Sequence, residues 1–451
     1  MGTLFSLLGI ARDATIAMQG ALSSTGRNVA NAQTPGYARR VAQLETARGS
    51  EGGVVFAGAS RQADRLAQRS LLTEHGRKGA ADSRADALLN VQTVLAPGDD
   101  DVAQALGALA SSFTQLASNP ADLGVRSSVL AAAKNFASRL DSAVLGVVDE
   151  RAALFDRASA AAAATNDDLA MVGSLNRNIK ETLARGQDAS DLIDRRDLAT
   201  ARIAENIGGS VLVGDDGQAT VLAFGTVLVN GGEARRLDVA RSPADTLVFS
   251  VQHADGSRTD VTSKADEGRL GGIRESRDTD LVGFASTLDA FSRDTARAFN
   301  VIHSSGYGLD GVTNRLLFNV STSGRLTLDS ALDGHPERLA ASSTGGALPA
   351  GNDVALGLSK VVDTPLPTGG TPASRFGDLL SALGAQIVNA RTEQDFRGNT
   401  LASAQSRVQQ VSGVSIEEEM SHLSMYQHAF EAQTRVLRVV DELLADILRI
   451  K

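Results

Sequence analysis

Apolar residues recur at alternating steps of three and four near both ends of the chain, and this pattern constrains the fold most. In the C-terminal segment the recurring positions are Leu423, Tyr426, Phe430, Gln433, Leu437, Val440, Leu444 and Ile447. In the N-terminal segment they are Leu4, Leu8, Ala11, Thr15, Met18, Leu22, Thr25 and Val29. This alternation places the side chains in one stripe along a helix, as in coiled coils. We call each stripe a seam, and each seam needs a partner that covers it.

Two kinds of partner can cover the seams. They can pair with each other or with the seams of further copies of the chain, or both can simply pack on a central helical domain. We favour pairing, because a turn at residues 34–37 and a linker at 363–372 separate the seams from the middle of the chain. Pro35-Gly36 fits the central positions of a type II turn.

Between the seams, the periodicity of the sequence changes several times. The predicted segments are an irregular stretch at 38–72, a helical block at 80–205, short β-strands at 208–265, a helix at 276–303, an irregular β-leaning stretch at 304–362 and helices at 374–411. The helical block can hold very long helices, because no proline occurs between Pro120 and Pro243. Asp-Gly and Asn-Gly pairs supply hairpin turns among the strands. Residues 415–418 read as a capping box that starts the final helix.

The predicted fold class is multidomain and mainly α, with coiled-coil-like paired termini and an inserted small antiparallel β domain. We expect a terminal helical assembly domain from 1–37 with 413–451, a mainly helical middle domain from 38–207 with 268–412, and the inserted β domain at 208–267. Because the β domain lies at the centre of this nested order, we expect it to face solvent at the point farthest from the paired termini.

The composition argues against several classes of function. The net charge of −9 does not suit a protein that follows nucleic-acid phosphates. The chain has no cysteine and no tryptophan, and aromatic residues make up 4% of it. Disulfides and thiolate chemistry are therefore excluded, and there is little material for stacking bases or sugars. We also expect no membrane insertion and no cleaved signal peptide.

Candidate chemical sites are weak. Histidines stand at positions 75, 253, 303, 335, 422 and 428, and we expect them at the surface or at edges rather than on a metal. Residues 306–311 match a dinucleotide-binding glycine spacing, but they follow a predicted helix and read better as a loop. The acidic run at 417–419 is explained by the helix macrodipole. We expect no cofactor, no metal and no enzymatic activity.

Two terminal motifs carry a resemblance to a known family. Residues 26–40, GRNVANAQTPGYARR, resemble the N-terminal motif of bacterial flagellar rod, hook and hook-associated proteins. Residues 412–420 and the stretch that follows resemble the matching C-terminal end. The motif residues are Asn28, Asn31, Thr34, Pro35, Gly36, Tyr37 and Gln427. Inside the chain, residues 191–198 (DLIDRRDL) and 299–303 (FNVIH) resemble the hook-associated members.

The resemblance implies a structural function. It implies a protein of the extracellular flagellum, at the hook–filament junction, that self-assembles through paired terminal helices. The implied partners are further copies of the chain, the hook protein, a second hook-associated junction protein and a cytosolic flagellar export chaperone. The alternatives are a hook or rod protein of the same family, and a secreted adhesin or enzyme with flagellar-type termini.

Overall fold

The computed structural model describes residues 2–47, 52–95, 101–367 and 369–449, without the side chains of residues 2, 3, 447 and 448. Within these ranges the fold is mainly α with long helices and small antiparallel sheets, as predicted. The helices are α1 (Gly2–Ala30), α2 (Arg65–Leu95), α3 (Val102–Ser118), α4 (Leu123–Ala184), α5 (Ser190–Ile207), α6 (Gly268–Glu275), α7 (Leu281–Ser305), α8 (Asp353–Ser359), α9 (Pro372–Ser412) and α10 (Ile416–Arg449). None of these helices is long and apolar enough to cross a membrane.

The strands lie in four antiparallel sheets within the described ranges. They are β1 (Arg40–Thr46), β2 (Val54–Arg61), β3 (Ser210–Val213), β4 (Ala219–Ala223), β5 (Thr226–Asn230), β6 (Glu233–Ala234), β7 (Arg236–Arg241), β8 (Leu247–Gln252), β9 (Arg258–Asp260), β10 (Phe318–Val320) and β11 (Leu326–Leu328). The sheet orders are β1-β2, β3-β4-β5-β6, β7-β8-β9 and β10-β11.

Helix α4 is the longest element, and its sequence explains its length. It has 62 residues, which corresponds to about 93 Å of helix. Asp122 caps its N-terminus by accepting hydrogen bonds from the backbone N–H groups of Gly124 and Val125. No proline interrupts it, so every interior amide can donate within the helix.

Strands β1 and β2 form a hairpin where we predicted irregular structure. The prediction was wrong because scattered glycines interrupt the alternation of apolar and polar residues along β1 and β2. Gly58 adopts a φ of +127° close to the point where the register shifts between Gln43 and Leu44, so a bulge interrupts the period-two pattern. The first residue of β1, Arg40, pairs across the sheet with the last residue of β2, Arg61.

The β segment at 208–265 shares one hydrophobic core with the helices. Val221, Leu237 and Phe249 are buried in the same cluster as residues of α4 such as Leu169. The expectation that this segment lies farthest from the paired termini is wrong. The guanidinium group of Arg196 on α5 donates to the Gly217 carbonyl in the β3–β4 turn (2.7 Å), and α5 also holds the β1–β2 hairpin, as described below. The β segment therefore lies close to the β1–β2 hairpin, because both contact α5. The division into three domains stays a prediction.

Candidate assembly site

Residues 34–37 form the turn that links α1 to β1. The backbone N–H of Tyr37 donates to the Thr34 carbonyl (3.2 Å), and Gly36 has a φ of +81°, as the third position of a type II turn requires. A Cβ at Gly36 would lie 3.6 Å from Cβ of Leu198 on α5. The turn therefore rests on the middle of the molecule.

Asn28 organises the end of α1. Its side chain is buried, accepts hydrogen bonds from the Arg40 backbone N–H (3.0 Å) and the Tyr37 hydroxyl (2.8 Å), and donates to the Arg40 carbonyl (2.8 Å) and to Oε2 of Glu419 (2.9 Å). Asparagine supplies two donors and two acceptor lone pairs, so these four bonds use its full capacity. Asn28 thus ties α1 to both the hairpin and α10.

Glu419 connects the start of α10 to the N-terminal segment. It is 1% exposed and accepts from Nε of Arg39 (2.7 Å) as well as from Asn28. Arg39 also pairs with Glu418 (3.1 Å), and its backbone N–H donates to the Ser412 carbonyl (2.9 Å). The Ser415 hydroxyl accepts from the Glu418 backbone N–H (3.3 Å), which supports the capping prediction, although the Glu418 carboxylate turns to Arg39.

Two arginines fasten the hairpin to α5. Arg40 pairs with Asp191 and Asp194, and Arg61 pairs with Asp194 and Asp197 at 2.8 Å each. The three acids recur at steps of three, so they lie near one another on the helix surface. The two arginines are cross-strand partners at the open end of the hairpin, so their ion pairs attach both strands to α5.

We call this whole polar cluster the joint. It consists of Asn28, Arg39, Arg40, Arg61, Asp191, Asp194, Asp197 and Glu419. Burial raises the pKa of Asp194, and the guanidinium groups of Arg61 and Arg40 oppose that rise. Burial also raises the pKa of Tyr37. Removal of one partner from the buried pair of Arg40 and Asp194 leaves an uncompensated charge, whereas Asp191 is largely exposed and contributes less.

Helices α1 and α10 pack against each other, and we call them the terminal pair. On α10 the seam residues are less exposed than the neighbouring positions; Val440 is buried, and the half-buried ones are Leu423, Tyr426, Phe430, Gln433, Leu437 and Leu444. The side chain of Ile447 lies outside the described residues. The C-terminal seam therefore faces the interior of the pair.

Helix α1 has two contact faces. Its seam residues are half-buried or buried, namely Leu4, Leu8, Ala11, Thr15, Met18, Leu22, Thr25 and Val29. A second face holds small residues: Ala17, Gly20 and Ser24 lie toward the hairpin, where Gly20 meets the ring of Phe56. At about 100° per residue the two faces are roughly 155° apart. Gly20 and Ser24 thus meet the hairpin, and that the seam meets α10 stays a prediction.

Helix α10 has a second apolar stripe that the described residues of the chain leave exposed. Met425, Val436, Val439 and Leu443 are 54%, 43%, 54% and 48% exposed. Their spacing places them on one face, roughly 110° from the seam. We call this face the outer stripe. A helix with two apolar stripes is suited to two neighbours, of which this chain supplies one.

The remaining motif residues have simpler roles. Asn31 donates to the Arg27 carbonyl (3.0 Å) and accepts from the Thr34 hydroxyl (3.3 Å), so it shapes the end of α1. Pro35 and Gln427 are exposed. As predicted, residues 306–311 form a loop after α7.

Sequence reasoning missed most of the joint. We explained the acidic run at 417–419 by the macrodipole, which suits the exposed Glu417 and Glu418 but not the buried Glu419. Residues 191–198 carried a resemblance but no assigned role. The available signal was the triplet of aspartates at steps of three on α5, of which Asp197 also pairs with Arg196 of the same helix. A partner 130 to 150 residues earlier in the chain cannot be identified from spacing alone.

Comparison with known proteins agrees with this architecture. Residues 405–450 match the flagellar basal body rod FlgEFG protein C-terminal region, which defines the class as flagellar axial protein. Residues 88–318, about half of the chain, match the flagellar hook-associated protein FlgK helical domain. The chain belongs to the FlgK family of flagellar hook-associated proteins.

Individual relatives are distant but extensive. The chain is 26% identical to flagellar hook-associated protein 1 of Bacillus subtilis (strain 168), over 99% of this chain and 98% of the relative. It is 26% identical to the protein of the same name from Salmonella typhimurium, over 70% of this chain and 60% of that protein. The flagellar hook junction protein FlgK from Burkholderia pseudomallei shares the fold with a TM-score of 0.51 at 21% identity, over 56% of this chain and 47% of that one.

Proposed function

We propose that this chain is a structural protein of the bacterial flagellum that forms the junction between hook and filament by self-assembly. The observation that carries the proposal is the exposed outer stripe of α10, formed by Met425, Val436, Val439 and Leu443. The seam is already used within the chain, so this second stripe is the surface available to a neighbouring copy. Its burial on assembly is favourable because it removes apolar surface from water.

The mechanism is mechanical. Terminal pairs of successive copies stack through their outer stripes into an inner layer, and the helical middle of the chain packs outside it. The joint fixes the direction in which the terminal pair leaves the middle of the chain. A protein between two different polymers meets the hook protein on one side and a second hook-associated protein on the other.

Export is the second part of the proposal. The chain leaves the cell unfolded through the flagellar type III apparatus without a cleaved signal peptide, and an export chaperone covers α10 beforehand. The support is the same outer stripe, which together with the seam forms an apolar surface on α10 before the chain folds. Deletion of residues 416–451 should abolish chaperone binding. Full-affinity binding by that truncated chain would move the chaperone site elsewhere.

Immunogold labelling of purified flagella tests the location. The expected result is a narrow band of label at the boundary between hook and filament. The second candidate is a hook or rod protein, which the match of residues 405–450 to the rod FlgEFG C-terminal region favours. Label along the whole hook, or at the basal body, would support that candidate and reject the junction.

Two matched variants test the outer stripe. Val439→Asp places a charge on the stripe, and Ser424→Asp places the same charge on an exposed position of α10 away from both stripes. Burial of an unpaired carboxylate costs several kcal/mol as an order of magnitude. We therefore expect Val439→Asp to be exported but not incorporated, and Ser424→Asp to assemble normally. Normal incorporation of both chains would remove the outer stripe from the interface.

A further inference from the structure

Helix α9 carries an exposed stripe without charge. Six residues at steps of three and four share one face of this helix, and we call them the neutral stripe. They are Ala385, Val388, Thr392, Phe396, Asn399 and Ser403, and all are exposed. The exposed fractions of Val388 and Phe396 are 63% and 55%. A surface helix usually directs charged residues to solvent, so a charge-free face with an exposed aromatic ring has the composition of an interface.

The opposite side of α9 fixes the helix on the rest of the molecule. Leu383 and Ile387 are buried in the main hydrophobic core. The side-chain amide of Gln394 donates to the Asp82 carboxylate on α2 (2.9 Å). The neutral stripe therefore lies on a helix that is already held in place, and the described residues leave it exposed.

Helix α3 offers a second charge-free face. Its 17 residues include no charged side chain, and every other described α-helix has at least one. We call its exposed residues at steps of three and four the α3 face: Gln104, Gly107, Ser111, Thr114 and Ser118. The α3 face spans about 21 Å of helix and the neutral stripe about 27 Å, so the two are similar in length.

The hydroxyl groups on both surfaces already have hydrogen-bond acceptors. On α9, Thr392 donates to the Val388 carbonyl (2.8 Å) and Ser403 donates to the Asn399 carbonyl (2.9 Å). On α3, the hydroxyls of Ser111, Thr114 and Ser118 donate to backbone carbonyls of the same helix at 3.0 to 3.3 Å. Removal of water from these surfaces therefore leaves no hydroxyl donor without a partner.

We propose that the neutral stripe of one copy packs against the α3 face of a second copy. The inference rests on the proposed self-assembly and adds an interface in the middle of the chain. Other helix faces would bring exposed charges, such as Arg69 on α2 or Asp156 on α4, onto a stripe that has no opposite charge for them. Because the two surfaces lie on different helices, each copy can use both, and the contact continues from copy to copy.

Crosslinking in purified flagella tests the contact, and the absence of cysteine from the chain removes its background. Cells make two chains together, one with Thr392→Cys and one with Ser111→Cys, and a short bismaleimide joins thiols that lie close. We expect crosslinked dimers at least tenfold above those from the control mixture of Thr392→Cys with Asp156→Cys. A single chain with both Thr392→Cys and Ser111→Cys should give a ladder of multimers.

Two crosslinking results would overturn the inference. One is a yield no higher than in the control mixture. The other is efficient crosslinking of Thr392→Cys chains with one another, which would place α9 against α9. Immunogold label at the hook–filament boundary in the same flagella would leave the proposed junction standing in either case. Absence of the wild-type chain from flagella would instead reject the proposed function.

A pair of charge variants tests the neutral stripe by a second route. Phe396→Asp places a carboxylate on the stripe, and Gln405→Asp places one on an exposed position of α9 roughly 140° away from it. Both monomers should unfold at the wild-type temperature, because both positions are exposed. We expect incorporation into flagella to fall about tenfold or more for Phe396→Asp and to stay normal for Gln405→Asp. Equal incorporation of the two chains would remove α9 from the interface.

Discussion

Buried and half-buried asparagines connect helices to strands at several points in this molecule. Each uses its side-chain amide as if it were the backbone of a neighbouring strand, because it offers a donor and an acceptor side by side. Asn28 binds Arg40 in this way, Asn166 binds Leu237, and Asn300 binds Leu317 and Phe318. Asn176 donates to the Ala219 and Gly231 carbonyls and accepts from the Ala219 N–H. Backbone N–H and C=O groups in and beside the strands thereby find partners on the helices.

Replacement of Asn176 tests the weight of one such contact. Asn176→Ala leaves a buried backbone N–H and two carbonyls without their partner. We expect the free energy of unfolding to fall by about 2 to 4 kcal/mol. Urea denaturation followed by circular dichroism measures the change. Asn389→Ala, at an exposed position of α9, is the control and should stay within about 0.5 kcal/mol of wild type. Equal stability of the two variants would contradict this role.

His303 is fully buried, contrary to the expectation of a surface or edge position. Its Nδ1 lies 2.8 Å from the Arg315 carbonyl, and its Nε2 accepts from the Ala340 N–H. Nε2 therefore has no proton, and the ring is neutral. Burial lowers the pKa of His303 to about 4; the hydrogen bond to the Arg315 carbonyl and the charge of Asp329 oppose the shift, and the charge of Arg315 adds to it. The protonated form cannot accept from Ala340, so acid must break this contact.

The pH dependence of stability follows from that pKa. The unfolded chain binds the proton near pH 6.5 and the folded chain only near 4, so stability falls as the pH drops through this window. The full effect is roughly 3 kcal/mol. We expect His303→Gln to be less stable at pH 7 but to lose less stability between pH 7 and 4.5. Urea denaturation at several pH values measures this, with the exposed His428→Gln as control. Parallel profiles for His303→Gln and wild type would refute it.

At the scale of elements, the long helices were predictable and the short strands only partly so. The proline-free sequence predicts long helices such as α4, and hairpin turn residues predict the strands at 208–265. The β1–β2 hairpin was missed because a bulge breaks its alternation. The predicted position of the β segment was wrong because the order of segments in the sequence does not determine their distances in space. A helix as long as α4 can return the following residues to the neighbourhood of the hairpin. The joint joins residues from distant elements, which local periodicity cannot detect.

The β segment supplies a prediction at this scale. Replacement of residues 209–262 by a short Gly/Ser linker should expose the face of α4 around Leu169 that the strands now cover. We expect a loss of several kcal/mol as an order of magnitude, with a lower Tm and binding of a hydrophobic dye. Calorimetry and dye fluorescence measure both. An unchanged Tm would mean that the strands are a separate outer unit, as nesting suggested.

At the scale of the whole molecule, α10 has two apolar faces with different tasks. Leu437 lies in the seam and Val439 lies on the outer stripe, two residues away on the same helix. We expect the seam to hold the two terminal helices of one chain together, and we propose that the outer stripe holds copies together. The sequence predicted the seam from its three–four alternation. The sequence analysis did not distinguish the outer stripe from the seam, since both faces are apolar.

In the monomer, Leu437→Asp should therefore loosen the packing of the terminal helices, and Val439→Asp should not. A charge in the seam opposes the packing of α1 on α10, at a cost of several kcal/mol as an order of magnitude. We expect faster hydrogen exchange in both terminal helices of the Leu437→Asp monomer, and no incorporation into flagella. The Val439→Asp monomer should exchange like wild type. The assignment fails if Leu437→Asp leaves the terminal helices as protected as before.

The bond between Asn28 and Glu419 joins residues 391 positions apart. A ribosome makes the first of them early and the second near the end of the chain. At about 5 to 20 residues per second, roughly 20 to 80 s separate the two events. Throughout that interval the N-terminal helix exists without its C-terminal partner. The hydrogen bond between Asn28 and Glu419 can therefore form only after synthesis has passed Glu419. A chain that ends before Glu419 cannot form it.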